Sequence, residues 1–200
     1  MAHVARLRCT KCGRTYAPKE RVWKCGEDDG RLDVEYDYDS IMSKVSREVF
    51  ERRRGGLWKY RELLPIENEE NIVTLGEVQT PLIRCKNLGK ILGIRNLYVK
   101  DETKNPTASF KDRPMTVGVS KAVELGFDTV VSASSGNAAA ALAAYSARAG
   151  LTCYTFVPEM ASSGKIAQLK MFGANVVRLR GLESGVDPTF TMLRLVCDSF

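Results

Sequence analysis

The chain predicts an α/β fold built on a parallel sheet, and three observations in its second half carry that prediction. Gly126, Gly150 and Gly173 each close a helical pattern, and each is followed two residues later by an apolar, β-branched run, at 128–132, 152–157 and 175–179. The intervals between the glycines, 24 and 23 residues, fit one strand plus one crossover helix. Strands spaced in this way pair in parallel through right-handed connections, which makes a three-layer domain.

Size and composition set the frame. Two hundred residues suffice for one good core or two small ones. With 44% hydrophobic and 27% charged residues the composition is that of an ordinary soluble globular protein. The longest apolar run, 138–145, is far short of the roughly 20 residues a membrane span needs, and no charged-then-apolar leader opens the chain. The expectation is a cytoplasmic protein with no membrane partner. Three units are expected: a ribbon-like element over 1–37, N-terminal helices and the start of a large domain over 38–110, and an α/β domain over 111–200 that is incomplete at its end.

The first unit rests on cysteines. Cys9-Thr10-Lys11-Cys12-Gly13 reads as a metal-binding knuckle, and Cys25 follows 13 residues after Cys12, close to zinc-ribbon spacing. Where a second C-x-x-C would end stands Asp28, and His3, the only histidine, lies at the terminus. Three thiolates leave a tetrahedral set one sulfur short, so Cys9, Cys12 and Cys25 predict a metal-poor ribbon held by Trp23, Tyr16 and strand pairing. Cys85, Cys153 and Cys197 fall in segments that read as core, so no disulfide framework is expected.

In the second unit, Ile41, Val45, Val49 and Phe50 predict a helix over 40–54, ended by Gly55-Gly56. Residues 57–64 predict a short helix stopped by Pro65. Thr80-Pro81-Leu82 predicts a turn into a helix over 85–92, and 96–99 a strand. The net charge of +6 owes much to 44–61, where Arg52, Arg53 and Arg54 stand together. No aromatic interleaving accompanies this run, so a solvated helix is favoured over a nucleic-acid contact; a positive field also suits an anionic substrate.

The candidate chemistry centres on Lys111. Ser109 and Asp112 fit an S-x-x-D capping pattern that starts a helix at Ser109 and places Lys111 in its first turn. The positive end of a helix dipole disfavours an ammonium there, leaving the amine more readily a neutral nucleophile for a Schiff base. Pro114 is tolerated in a first turn and also allows a start at Asp112. The preceding Asn105-Pro106-Thr107-Ala108 is small and turn-forming, open to a flat ligand. Farther on, Ser134, Ser135, Gly136 and Asn137 lie between a strand and an alanine-rich helix over 137–149. There helix amides and dipole meet at the carboxyl end of a parallel strand, a position suited to an anion, with Gly136 permitting a tight turn. Ser162, Ser163, Gly164 and Lys165 open another helix on the same edge; they could help hold an anion, but a simple N-cap is the favoured reading. Residues 186–200 read as a final helix without a C-terminal cap.

NPTASFKDR, together with the SSGN that ends at Asn137, 26 residues after Lys111, resembles the pyridoxal-phosphate enzymes of the tryptophan-synthase-β fold type, and within them the threonine synthases. WKYRELLP and the N-terminal ribbon share that resemblance, which runs from about Leu7 to the chain's end. It implies pyridoxal 5′-phosphate carried on Lys111, beside Phe110, with Asn137 at the 3′-hydroxyl of the cofactor ring. It further implies that Ser134, Ser135, Gly136 and Asn137 hold the carboxylate of a small anionic amino-acid substrate, in a homodimer when full length. The implied reaction is O-phospho-L-homoserine plus water giving L-threonine and phosphate. The family's glycine-rich phosphate loop and its partner for the pyridine nitrogen are not visible, so the chain is expected to be an N-terminal part that is inactive alone. A β-replacement enzyme of the cysteine or cysteate synthase kind, or a threonine dehydratase, is the alternative within the superfamily. A basic ribbon-containing nucleic-acid-binding module is the alternative outside it, and leaves Lys111 and Asn137 unexplained.

Overall fold

The computed structural model describes residues 3–181 and 187–199. At its start, β1 (Val4–Cys9), β2 (Thr15–Tyr16) and β3 (Leu32–Tyr36) form an antiparallel sheet in the order β2-β1-β3. His3 is tied down: its carbonyl accepts from the Asp37 amide at 2.7 Å, and its Nδ1 lies 2.9 Å from Ser40 Oγ.

The single helix expected over 40–54 forms as two, α1 (Tyr38–Met42) and α2 (Arg47–Arg52). Asp37 caps the first through the Ser40 amide at 3.0 Å. Ser43 bonds back to the Ser40 carbonyl at 2.8 Å, and Ser46 is extended at φ −130°, so local serine hydrogen bonding competes with the helix and breaks it. Ile41 alone of the expected apolar stripe is buried. Residues Leu57–Leu63 wind as a 3₁₀ helix, and Trp58 reaches across to donate to Thr116 Oγ1 at 3.1 Å. The basic run is partly neutralised here. Arg53 forks onto the buried Glu62 at 2.7 and 2.8 Å, and Arg61 pairs with Glu69 at 2.9 Å.

A strand pair follows, β4 (Leu82–Arg84) antiparallel to β5 (Tyr98–Lys100), with α3 (Lys86–Leu92) between them. Where the sequence predicts a turn, β4 forms because residues 82–84 find the ladder of 98–100.

The second half is rhythmic as expected: α4 (Asp112–Glu124), β6 (Thr129–Ala133), α5 (Asn137–Ala149), β7 (Thr152–Pro158), α6 (Ser163–Met171), β8 (Asn175–Leu179) and α7 (Pro188–Ser199). Strands β6, β7 and β8 pair in parallel in that order. Gly126, Gly150 and Gly173 take φ of +71°, +73° and +83°, the left-handed turn at each helix end. On one face Cys153 and Val157 of β7 pack under Ala140, Ala143, Ile166 and Leu169. Phe156 points to the other face, where α7 lies along β6 and β7 and completes the third layer. Val186 and Phe200, the expected ends of the last helix, lie outside the described residues.

What positions the site is the relation between α4 and α5. A four-residue link joins α4 to β6, and α5 returns the chain from β6 to the parallel strand β7. The extended segment at Val73 and Thr74 clamps them. Val73 bonds to Thr116 Oγ1 and Ser120 Oγ at 2.6 and 2.8 Å, and Arg148 near the end of α5 donates to the Thr74 carbonyl at 3.3 Å. The two helices therefore lie side by side, and α5 opens at the carboxyl end of β6. Alanines at 139, 140 and 143 let them approach closely.

Candidate active site

Lys111 is the N-cap of α4 and half-buried. The helix starts at Asp112 and not at Ser109, and no capping box forms. Ser109 Oγ instead accepts from the Lys111 amide at 3.1 Å, while the Asp112 carboxylate turns to Thr107, taking its amide at 2.9 Å and its hydroxyl at 2.7 Å. Asp112 is fully buried. Pro114 occupies the third helical position, where its missing N–H is harmless.

The loop ahead of Lys111 is strained and braced. Ala108 has φ +59°, a left-handed conformation that costs a non-glycine residue about 1 kcal/mol or more. It is held by Asp112 on one side and by a hub at Glu102 on the other. Glu102 accepts from Arg113 at 2.7 and 2.8 Å, from Thr80 Oγ1 at 2.7 Å and from Asn105 Nδ2 at 2.9 Å. The Arg113 guanidinium is the main reason the Glu102 carboxyl is held down to about 2, and Glu102 raises Arg113 in return. Asn105 is buried, and its Oδ1 has no hydrogen-bond partner among the described residues. Sequence reading missed this brace of Thr80, Glu102, Asn105, Thr107, Asp112 and Arg113. The one local signal for it was the acid directly after Lys111.

Within that brace the Lys111 amine is uncommitted. Among the described residues no carboxylate lies within ion-pair distance of Nζ and no hydrogen-bond acceptor meets it; its close neighbour is the ring of Phe110, whose centroid is 4.5 Å away. Phe110 is itself exposed.

The second part of the site is the start of α5. Ser134, Ser135 and Gly136 are half-buried and Asn137 is exposed. The loop is pinned to β7, since Thr155 Oγ1 donates to the Ser134 carbonyl at 2.8 Å and lies 2.9 Å from Ser132 Oγ. No side chain caps α5, so its first-turn amides and the positive end of its dipole are available to an anion. Gly136 is not there for the turn: its φ of −104° is open to any residue. A Cβ at Gly136 would meet only Ser134 Oγ, at 3.9 Å, so the glycine keeps space outside the protein's own packing. The Gly136 amide donates to Ser134 Oγ at 3.2 Å, which leaves the first-turn amides of α5 open. An uncommitted amine at the start of α4, these open amides at the start of α5, and a bare glycine between strand and helix form a donor set that fits pyridoxal phosphate and an amino-acid carboxylate. Ser162 is the N-cap of α6, yet its side chain makes no capping bond.

Comparison with known proteins gives the same reading. The family model for pyridoxal-phosphate dependent enzymes matches residues 73–196, which include both parts of the site. A threonine synthase of Methanocaldococcus jannaschii is 51% identical over 87% of this chain and 43% of its own length. A threonine synthase of Methanosarcina acetivorans is 46% identical over 96% of this chain and 46% of its own. The chain thus spans less than half the length of these relatives. A solved pyridoxal 5′-phosphate-dependent aspartate racemase superposes with a TM-score of 0.52 at 30% identity, covering 61% of this chain and 36% of that one. Because the match extends over more than half the chain and takes in both Lys111 and the start of α5, the chain belongs to the pyridoxal-phosphate dependent enzymes.

Proposed function

We propose that this chain is part of an enzyme that converts O-phospho-L-homoserine and water into L-threonine and phosphate. The observation that carries the reading is the uncommitted Lys111 amine at the start of α4, in a chain half identical to a threonine synthase over most of its length. Bound here, pyridoxal phosphate would supply an electron sink for the charge left at the substrate α-carbon. Lys111 would hold it covalently and, once displaced by substrate, take and return the α-carbon proton through its free amine. Phe110 and Asn137 would orient the ring, and the amides and hydroxyls of Ser134, Ser135, Gly136 and Asn137 would bind the α-carboxylate. The brace at Glu102 and Asp112 keeps the loop fixed, so the amine is positioned before substrate arrives.

Six unpaired cysteines suit a reducing compartment, which supports a cytoplasmic location. Among the described residues no helix is long and apolar enough to cross a membrane. A homodimer of the full-length enzyme, without nucleic acid, completes the proposal.

The test uses the full-length protein. Borohydride reduction followed by peptide mapping should place the pyridoxyl group on Lys111, and phosphate should be released from O-phosphohomoserine together with threonine. Fixation on another lysine would refute the site; turnover of O-acetylserine or free threonine in its place would refute the substrate and favour the β-replacement or dehydratase alternative.

A further inference from the structure

The ribbon holds a cluster that the site does not use. Cys9 Sγ, Cys12 Sγ, Cys25 Sγ and an Asp28 carboxylate oxygen all lie within 4.8 Å of one another. We propose that these four residues form a tetrahedral site for a structural zinc ion, three thiolates and one carboxylate.

Two loops of the same form build it. In the first, the Cys9 amide donates to the Arg14 carbonyl at 2.8 Å, the Gly13 amide donates to the Cys9 carbonyl at 3.1 Å, and Gly13 is left-handed at φ +78°. In the second, the Cys25 amide donates to the Gly30 carbonyl at 2.8 Å, the Asp29 amide donates to the Cys25 carbonyl at 3.0 Å, and Asp29 is left-handed at φ +54°. Position by position, Cys25 matches Cys9 and Asp28 matches Cys12. Asp28 therefore stands where the fourth ligand of a paired-knuckle site belongs, and the set that is one sulfur short by count is completed in space by an oxygen.

The spacings suit a metal. With zinc–sulfur and zinc–oxygen bonds of about 2.3 and 2.0 Å, tetrahedral geometry sets sulfur–sulfur edges near 3.8 Å and sulfur–oxygen edges near 3.5 Å. Cys12 and Cys25 are 3.6 Å apart, and the two oxygens of Asp28 are 3.3 and 3.7 Å from Cys9. The groups around the set orient it as outer partners of a metal do. The Lys11 amide donates to Cys9 Sγ at 3.3 Å, the Tyr16 hydroxyl to Cys25 Sγ at 3.2 Å, and the Gly30 amide to Asp28 Oδ1 at 2.8 Å. Gly30 is needed for space, since a Cβ there would fall 2.4 Å from Cys9 Sγ and 2.8 Å from the Asp28 oxygen. The second loop also touches the α/β domain: Lys24 bridges Asp29 and Asp198 of α7, each at 3.0 Å. Metal in the ribbon would thus steady an anchor on the catalytic domain.

The experiment is metal analysis of the full-length protein purified without chelator, with cobalt(II) exchanged for zinc as a spectroscopic probe. One zinc per chain is expected, and the cobalt form should show tetrahedral ligand-field bands with sulfur-to-cobalt charge transfer. Asp28→Ala should weaken zinc binding by about 100-fold or more, given that loss of a supporting partner alone costs 10–100-fold. Asp28→Cys should restore one zinc per chain and add thiolate intensity to the cobalt spectrum, which guards against a variant that fails only by misfolding. Protein that retains no zinc after incubation with zinc chloride, a Cys12–Cys25 disulfide in protein from reducing cytosol, or cobalt spectra unchanged in Asp28→Ala would each overturn the proposal.

Discussion

Thr107 gives both its amide, at 2.9 Å, and its hydroxyl, at 2.7 Å, to the buried carboxylate of Asp112, so the residue directly after Lys111 closes the loop that carries Lys111. Asp112→Ala removes two charge-assisted bonds and leaves the Thr107 donors unpaired. It should lower stability by about 2–4 kcal/mol. Urea unfolding at constant m value measures this, and an unchanged midpoint would show that Asp112 does not hold the loop. Asp112→Asn, which keeps one acceptor oxygen, should lose less.

The Glu102–Arg113 pair predicts an acid limb in stability. The guanidinium depresses the Glu102 carboxyl from 4.5 to about 2, so its contribution is fully present above pH 4.5 and is lost as pH falls toward 2. Each side chain is a quarter exposed, so solvent screening tempers the size of the effect. Glu102→Gln should flatten the stability profile between those pH values. An identical acid limb in the variant would assign that limb to other carboxylates.

Asn137→Ala in the full-length enzyme should shift the absorbance of bound pyridoxal phosphate and cost ~1 to 3 kcal/mol of transition-state stabilisation, the range for one lost polar contact. Spectrum and kcat/KM together report it. If both stay at wild-type values, Asn137 does not touch the cofactor.

Gly150→Ala tests the helix-to-strand turns. At φ +73°, with open space around its position, Gly150 should lose about 1 kcal/mol from backbone strain alone. Gly126→Ala should lose more, because its new methyl falls 3.1 Å from the Arg21 guanidinium, which packs over the Phe127 ring at 4.9 Å. Thermal denaturation of the pair separates strain from crowding; equal losses would mean that the Arg21 contact contributes nothing.

Local pattern was enough for the elements of the second half. Glycine at the helix ends and β-branched runs behind them are short-range signals, and the strand over 175–179 forms at its expected bounds. For Lys111 and for Ser134 through Asn137, residue types and neighbours likewise raise the proposal of a nucleophile and an anion site, which the pyridoxyl mapping and Asn137→Ala are designed to test. Where the signal was short-range but shared, reading failed. Ser43 and Ser46 broke a helix whose apolar spacing looked continuous, and residues 82–84 became a strand only because 98–100 lie beside them.

What the amino-acid sequence determined by itself was therefore the alternation of strand and helix, the parallel sheet that follows from its spacing, and the residues able to do chemistry. Tertiary structure decided which of those residues meet. Helices α4 and α5 lie against each other because Val73 bonds to α4 and Thr74 to α5, and small alanines leave room for the contact. Asp112 serves Thr107 and not Ser109, and Asp28 joins three cysteines, because backbone turns with left-handed residues at 108, 13 and 29 aim side chains in ways that residue spacing does not encode. Hydrogen bonds and packing between segments far apart in the chain select these meetings, and their free energy exists only once the segments are folded together.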